Sequence, residues 1–176
     1  MSGTLELRVA PGLGLGAPLA AQVAELCRVA YDEPFEEILR AFEDPTHVLG
    51  FLGDSLVSHA LWVPRDLLYG GSPLRTAYVE AVATHPRHQG RGYASALLRR
   101  LASEITGFDL GVLSPSDTRF YERLGWERWR GPLLLSTAQG PLETPLEEVM
   151  ILRLPRTPAL DLDRALTAFW RPGEIW

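Results

Sequence analysis

Leu5, Leu7 and Val9 alternate with Glu6 and Arg8, which predicts a first, outer strand with one buried face, ended by Pro11 and a Gly-rich turn. Leu19, Val23, Leu26, Cys27 and Ala30 then recur at helical spacing. A second short helix, opened by Pro34 in its first turn, carries Phe35, Ile38, Leu39 and Phe42 and stops at Pro45. Residues 48–52 and 56–63 read as two antiparallel strands joined across Gly53, Asp54 and Ser55. Beyond a turn at residues 70–73, a third strand runs from Leu74 into Thr84, and Ala94, Leu97, Leu98 and Leu101 mark an amphipathic helix. Residues 108–113 form a buried strand, and the strand, helix, strand order implies a parallel pair with a right-handed crossover. The remainder reads as a short helix over 117–124 closed by Gly125, a strand-like 126–129, a polar Pro-rich loop over 136–148, and a strand over 149–154. A capped helix follows on Asp161, Leu162, Asp163, Ala165, Leu166 and Phe169.

The pattern is that of a mixed α/β chain, and 176 residues suit one domain spanning the whole sequence. A net charge of -5 argues against broad nucleic-acid binding, which needs a basic footprint, and suits a cationic substrate. The single cysteine, Cys27, excludes an internal disulfide, and His47, His59, His85 and His88 lack metal-ligand spacing, so no metal is expected. The N-terminal residues lack a secretion pattern and no apolar run is long enough to span a membrane, which points to a cytoplasmic protein. The acids Asp32, Glu33, Glu36 and Glu37 are most simply a charge bias at a helix N-terminus, with one of them available to face a cationic ligand.

The candidate chemistry sits in residues 78–101. Arg87, His88, Gln89, Gly90, Arg91 and Gly92 follow a strand and precede a helix, the context a pyrophosphate cradle requires. Glycine permits the sharp turn and close backbone approach, and the helix start presents unpaired N–H groups. The loop is neither a Walker loop nor a dinucleotide fingerprint. Glu80 is a carboxylate on an otherwise apolar strand, costly unless solvated or paired, and period two puts it on the face of Tyr78 and Val82.

Arg87, Gly90 and Gly92, together with Tyr121-Glu122-Arg123-Leu124-Gly125-Trp126, resemble in the right order two motifs of the GCN5-related N-acetyltransferases. The resemblance implies that fold: a mixed, mostly antiparallel sheet flanked by helices and splayed into a wedge that takes acetyl-CoA. It implies that backbone groups around Val82 and Thr84 pair with the pantetheine arm, and that the amides of Gln89, Gly90, Arg91, Gly92, Tyr93 and Ala94 hold the pyrophosphate. The reaction would be direct attack of an amine on the thioester. A primary ammonium has a pKa of about 10 and must first lose a proton, for which Glu80, through ordered water, is the candidate base. Tyr121 is the candidate acid toward the departing thiolate.

From about Leu74 onward the chain resembles the aminoglycoside 2'-N-acetyltransferases more narrowly. The shared pieces are Tyr78-Val79-Glu80, residues 111–114, Gly125-Trp126, Gly131-Pro132, Thr144-Pro145 followed by acids, and the ending Trp170-Arg171-Pro172-Gly173-Glu174-Ile175-Trp176. The resemblance implies a tail that folds back so that Glu147, Glu174 and the terminal carboxylate of Trp176 bind substrate ammonium groups, with Ser114 also in contact. Charge-assisted hydrogen bonds to several carboxylates are what a polycation requires. The chain departs from that family in having Glu at 147 and 174, a shorter segment between Ser114 and Tyr121, and Pro34 near the position of a family aspartate, which leaves Asp32 or Glu33 as the substitute. The expected partner is thus a small cationic amine, with a homodimer formed through the final strands as the superfamily's habit. A peptide or polyamine acetyltransferase and a noncatalytic acyl-CoA-binding module are the rival readings.

Overall fold

Short turns decide most of the strand connections. In a computed structural model describing residues 4–171 and 175–176, β1 (Leu5–Pro11) lies antiparallel to β2 (Thr46–Leu52), and a turn with Gly53 at φ 58° leads from β2 into β3 (Ser55–Tyr69). A second turn, with Gly70 at φ 58° and Gly71 at φ 82°, returns the chain into β4 (Ser72–Thr84), so Ser72 and Pro73 belong to the strand rather than to the turn. These positive φ angles suit glycine alone at no steric cost. Along the chain follow α1 (Gly16–Tyr31), α2 (Glu36–Ala41), α3 (Tyr93–Glu104), β5 (Leu110–Leu113), α4 (Thr118–Glu122), β6 (Glu127–Arg128), β7 (Leu133–Thr137), β8 (Gly140–Glu143), β9 (Met150–Arg153) and β10 (Leu166–Phe169). The fold is a mixed α+β arrangement, as the hydrophobic pattern implies. Among the described residues no helix is long and apolar enough to cross a membrane.

The contacts divide the chain into two compact units, and β3 and β4 contribute to both. The first comprises Met1–Val63 and Val79–Glu104. Its sheet is built on β2, buried from His47 through Phe51, with β1 on its outer edge. Helix α3 packs on this sheet through Leu97, Leu98 and Leu101, all buried. The close approach depends on Gly50, where an added Cβ would lie 2.9 Å from Leu97 Cδ1 and 3.3 Å from Leu5 Cδ1. Helix α1 buries Val23, Leu26 and Cys27, and α2 starts at Glu36 rather than at Pro34.

The second unit comprises Pro64–Tyr78 and Ile105–Trp176. Here β4 pairs in parallel with β5 over Thr76–Tyr78 and Leu110–Val112, which agrees with the crossover read from the sequence. Strand β9 pairs antiparallel with both β5 and β6. Two expectations fail in this unit. The segment expected as a loop over 136–148 contains the hairpin β7–β8, whose turn is tied by Thr137 Oγ1 accepting from Gln139 N–H and donating to the Gly140 carbonyl. Pro141 is tolerated there because β8 is an edge strand, where a missing donor costs nothing.

The helix expected over 161–169 is instead a turn followed by β10, parallel to β7 and antiparallel to the end of β3. Asp161 does not cap a helix: its carboxylate accepts from Asp163 N–H in an Asx-type turn. The buried residues Leu166 and Ala168 follow period two, and their ladder partners lie more than thirty residues upstream, out of reach of a local pattern.

Candidate active site

Strand β4 carries the candidate base. Its burial changes character at Glu80: Leu74 and Thr76 through Val79 are buried, whereas from Glu80 onward half-buried Glu80, Val82 and Thr84 alternate with buried Ala81 and Ala83. Between Glu80 and Val82 the backbone turns left-handed at Ala81, φ 51°, an uncommon conformation for a residue with a Cβ. Such a residue interrupts the regular pleat, yet Glu80, Val82 and Thr84 share a half-buried character on either side of it.

The carbonyls around this irregularity are met by side chains. His59 Nδ1 lies 2.9 Å from Ala81 O, and Tyr31 donates its hydroxyl to Val82 O at 2.9 Å. Ser58 donates to Ala83 O at 3.1 Å and lies 2.7 Å from Thr84 Oγ1, so with one hydroxyl hydrogen on Ser58 the Thr84 hydroxyl is the donor of that second bond. Gln89 Nε2 donates to Thr84 O at 3.2 Å. A carbonyl has two lone pairs, so one such bond does not by itself fill Val82 O or Thr84 O. Tyr31, Ser58 and His59 were not singled out from the sequence as functional. The available signal was two polar residues, Ser58 and His59, inside a strand otherwise buried and apolar from Val57 to Val63.

His59 belongs to a buried polar cluster with His47 and Cys27. His47 Nδ1 lies 2.9 Å from His59 Nε2, and Cys27 Sγ lies 3.9 Å from His59 Nδ1. Burial lowers the His47 imidazole to about 4 and, together with the neighbouring His47, lowers His59 to about 3. Burial pushes the Cys27 thiol up to about 12, so the cluster is uncharged near neutrality. This has a consequence for acid stability. Unfolded, both histidines take a proton near pH 6.5; folded, they resist until about pH 4 and about pH 3. Below pH 6.5 the unfolded state therefore binds more protons, and stability falls as pH falls, by at most roughly 2.7 kcal/mol per pH unit for two protons. Thermal midpoints between pH 6.5 and 5, above the ordinary carboxylate range, are expected to drop in the wild type. With both histidines replaced by Asn the slope should flatten; an equal slope in the two proteins would refute the assignment.

After β4, residues Pro86–His88 make one 3-10 turn whose first N–H, that of Arg87, is accepted by His85 Nδ1 at 3.2 Å. Gly90 and Gly92 then adopt φ 74° and 79°, the left-handed geometry anticipated from their positions. The first helical bond of α3 runs from Ala96 N–H to Gly92 O, so helix geometry leaves the N–H groups of Tyr93, Ala94 and Ser95 without an intrahelical acceptor. No acid stands in that first turn. Arg87, Gln89 and Arg91 are exposed around it, and Tyr93 and Ala94 are half-buried. Desolvation, then Arg91, His85 and Arg87, hold the His88 imidazole below its ordinary range. Open amides, a helix dipole and two cationic neighbours, Arg87 and Arg91, fit a phosphate-bearing ligand such as coenzyme A. Asp32 ends α1 in the left-handed conformation, φ 57°, exposed and next to Tyr31.

In the second unit, Tyr121 lies on α4, whose start is capped by the Asp117 carboxylate accepting from Arg119 N–H. Its ring is buried edge-on against Phe120 and Trp126, at 5.0 and 6.1 Å between centroids. Burial first, then Asp117, raise its phenol to about 12. Ser114, just past β5, is exposed and donates to the Glu148 carbonyl at 2.9 Å. Glu147 is exposed in a turn closed by its N–H on Thr144 O. Trp176 is buried, and its indole N–H donates to Thr144 Oγ1 at 2.9 Å, so the last residue seats on the segment carrying Glu147. Upstream, the Arg171 guanidinium lies 4.9 Å from the Tyr78 ring centroid, and Arg65 lies 4.8 Å from the same centroid. Ser114, Glu147 and Trp176 are thus gathered around residues 144–148. Glu174 lies outside the described residues. Among the described residues no cluster of His, Cys, Asp or Glu is arranged to hold a metal.

Comparison with known proteins places this geometry. Residues 20–129 match the family described as "Acetyltransferase (GNAT) domain". An aminoglycoside 2'-N-acetyltransferase of Mycolicibacterium fortuitum is 30% identical over 94% of this chain and 100% of its own length. Among solved structures, a GNAT family acetyltransferase from Brucella melitensis in complex with acetyl-CoA superimposes with a TM-score of 0.60 at 18% identity, over 90% of this chain and 94% of that one. Escherichia coli ElaA gives 0.62 at 16% identity over 84% of this chain and 99% of its own. Eis1 from Mycobacterium abscessus gives 0.61 at 20% identity over 73% of this chain; there the chain spans only 32% of the other's length. With a strand, a glycine-bearing loop and an open helix start in the matched segment, the chain belongs to the GNAT acetyltransferases.

Proposed function

We propose that this acetyltransferase moves the acetyl group of acetyl-CoA to a primary amine of a polycationic small molecule, an aminoglycoside being the best-supported class. The observation that carries the substrate reading is the 30% identity with an aminoglycoside 2'-N-acetyltransferase over that protein's full length. The net charge of -5 suits the same ligand.

In this reading the amides from Gln89 to Ala94, with Arg87 and Arg91, bind the pyrophosphate, and the backbone at Val82 and Thr84 aligns the pantetheine arm. Glu80 holds the substrate ammonium and accepts its proton through water, which frees the nitrogen lone pair. The amine nitrogen then bonds to the thioester carbon, the C–S bond breaks with its electron pair on sulfur, and the surplus proton on nitrogen passes through water to that thiolate, giving the amide and the free thiol. A thiol near 8.5 and a phenol at about 12 make full proton transfer from Tyr121 to the thiolate uphill by about three and a half pKa units. Tyr121 therefore serves as a neutral hydrogen-bond donor to the sulfur, kept protonated by its burial. Asp32, Ser114 and Glu147 are the further proposed contacts to the cation, each charge-assisted bond being roughly twice as strong as a neutral one.

The test is thiol release from acetyl-CoA against a panel of aminoglycosides, polyamines and lysine peptides. Turnover with at least one aminoglycoside, at a kcat/KM of about 10⁴ M⁻¹s⁻¹ or more and at least tenfold above any peptide, is expected. Preference for a polyamine or peptide would overturn the substrate reading alone. Tight coenzyme binding without turnover of any amine would instead make the protein an acyl-CoA-binding module.

A further inference from the structure

The buried histidines have no place in the chemistry just described, yet they end on the strand that carries it. Ala81 O is a pure acceptor, so His59 Nδ1, 2.9 Å away, carries the proton. A neutral imidazole has one N–H, which makes His59 Nε2 an acceptor. His47 Nδ1, 2.9 Å from that nitrogen, must then be its donor. Each bond thus fixes the tautomer of the next ring, and the chain of donors ends on Ala81, a residue with a Cβ held at φ 51° inside a strand. Ala81 and His59 are buried, at 7% and 0% exposure, so no bulk water is available to take over that carbonyl. A strained conformation persists only where its surroundings over-determine it. On one side of Ala81 stands Glu80, on the other Val82.

We propose that His59, held in its Nδ1–H form by His47, is a positioning residue for Glu80: its bond to Ala81 O fixes the left-handed turn of β4 that sets the direction of the Glu80 carboxylate. This rests on the reading of Glu80 as base. The two histidines come from neighbouring strands, β2 and β3, and reach the catalytic strand from within the core, so the carboxylate's aim is set by buried groups that never meet the substrate.

The experiment is a double-mutant cycle of His59→Leu and Glu80→Gln, with His59→Asn as the conservative variant and ¹⁵N imidazole spectra of the wild type. His59→Leu removes the donor and is expected to lower kcat by about ten- to a hundredfold, the cost of a small misplacement of a reacting group. In the Glu80→Gln background the same change should cost less than about threefold, because residues that act through one another are not additive. His59→Asn, whose amide can donate to Ala81 O, should recover most of the loss, and the spectra should show a neutral His59 protonated at Nδ1. Full kcat in His59→Leu, an additive cycle, or a His59 protonated at Nε2 would each overturn the proposal. Should His59→Leu not fold, the Asn variant and the tautomer decide: an Asn variant slowed as much as Glu80→Gln overturns it. A Glu80→Gln enzyme as fast as wild type would instead refute the reading of Glu80 itself.

Discussion

Glu80→Gln is expected to lower kcat for amine acetylation by about a hundred- to ten-thousandfold, the range in which a positioned general base operates. The substitution preserves size and hydrogen bonding but removes the charge proposed to hold an ammonium and take its proton. An amine with a pKa near 10 presents only about one part in a thousand of its attacking form at pH 7, so the loss of assistance falls directly on the chemical step. The KM for acetyl-CoA should stay within about twofold, since the residues proposed for the coenzyme lie beyond Ala81 on β4, in the Gly-rich loop and at the start of α3. Rates against pH add a second reading: raising the pH should restore part of the variant's activity, because deprotonated amine then forms without help. Unchanged turnover at pH 7 would transfer the role of base to another group. A loss confined to KM for the amine would make Glu80 a binding residue only.

The largest expected effect on stability lies at Gly131. A Cβ built there would fall 2.1 Å from the carbonyl oxygen of Arg164 and 2.6 Å from the carbonyl carbons of Asp163 and Arg164. These are backbone atoms and cannot swing aside as a side-chain tip can. The approach is fixed by hydrogen bonds from Arg130 and Gly131 N–H to Leu162 O, at 2.9 and 2.8 Å, and from Leu166 N–H to Pro132 O at 3.0 Å. Trp129 Nε1 donates to the Arg164 carbonyl, which the new methyl would displace. Gly131→Ala is therefore expected to cost about 3–5 kcal/mol, the range of the most disruptive single substitutions, and to lower the thermal midpoint by roughly 6–20 °C. Because the same segment leads into β10, calorimetry should show lost stability together with weakened protection of the β10 amides in hydrogen exchange. A midpoint within 2 °C of wild type would mean that the segment relaxes at no cost, and would refute the argument from close contact.

How far the site could be read without the fold depended on the range of the forces involved. Gly90 and Gly92 were legible because a left-handed turn before a helix is a local demand that only glycine meets cheaply. Tyr121 was legible through its motif, but the rise of its phenol to about 12 was not, since that follows from burial against Phe120 and Trp126 and from Asp117 nearby. Period two put Glu80 on a strand but gave no sign of the left-handed Ala81 beside it, which no glycine or proline announces. Tyr31 and His59 were invisible as partners of β4: their acceptors lie 51 and 22 residues away.

The sequence by itself determined the class of elements along most of the chain, the glycine-bearing strand-to-helix loop over 87–92 and the family to which it leads. All of these depend on neighbours within one or two turns of chain. Tertiary structure alone decided that residues 166–169 are a strand between β3 and β7, that Trp176 seats on Thr144, and that a buried pair of histidines meets the irregular point of β4. The reason is common to the three. Each is a hydrogen bond whose donor and acceptor are far apart in sequence, and burial makes such a bond obligatory only once the fold has removed the competing water.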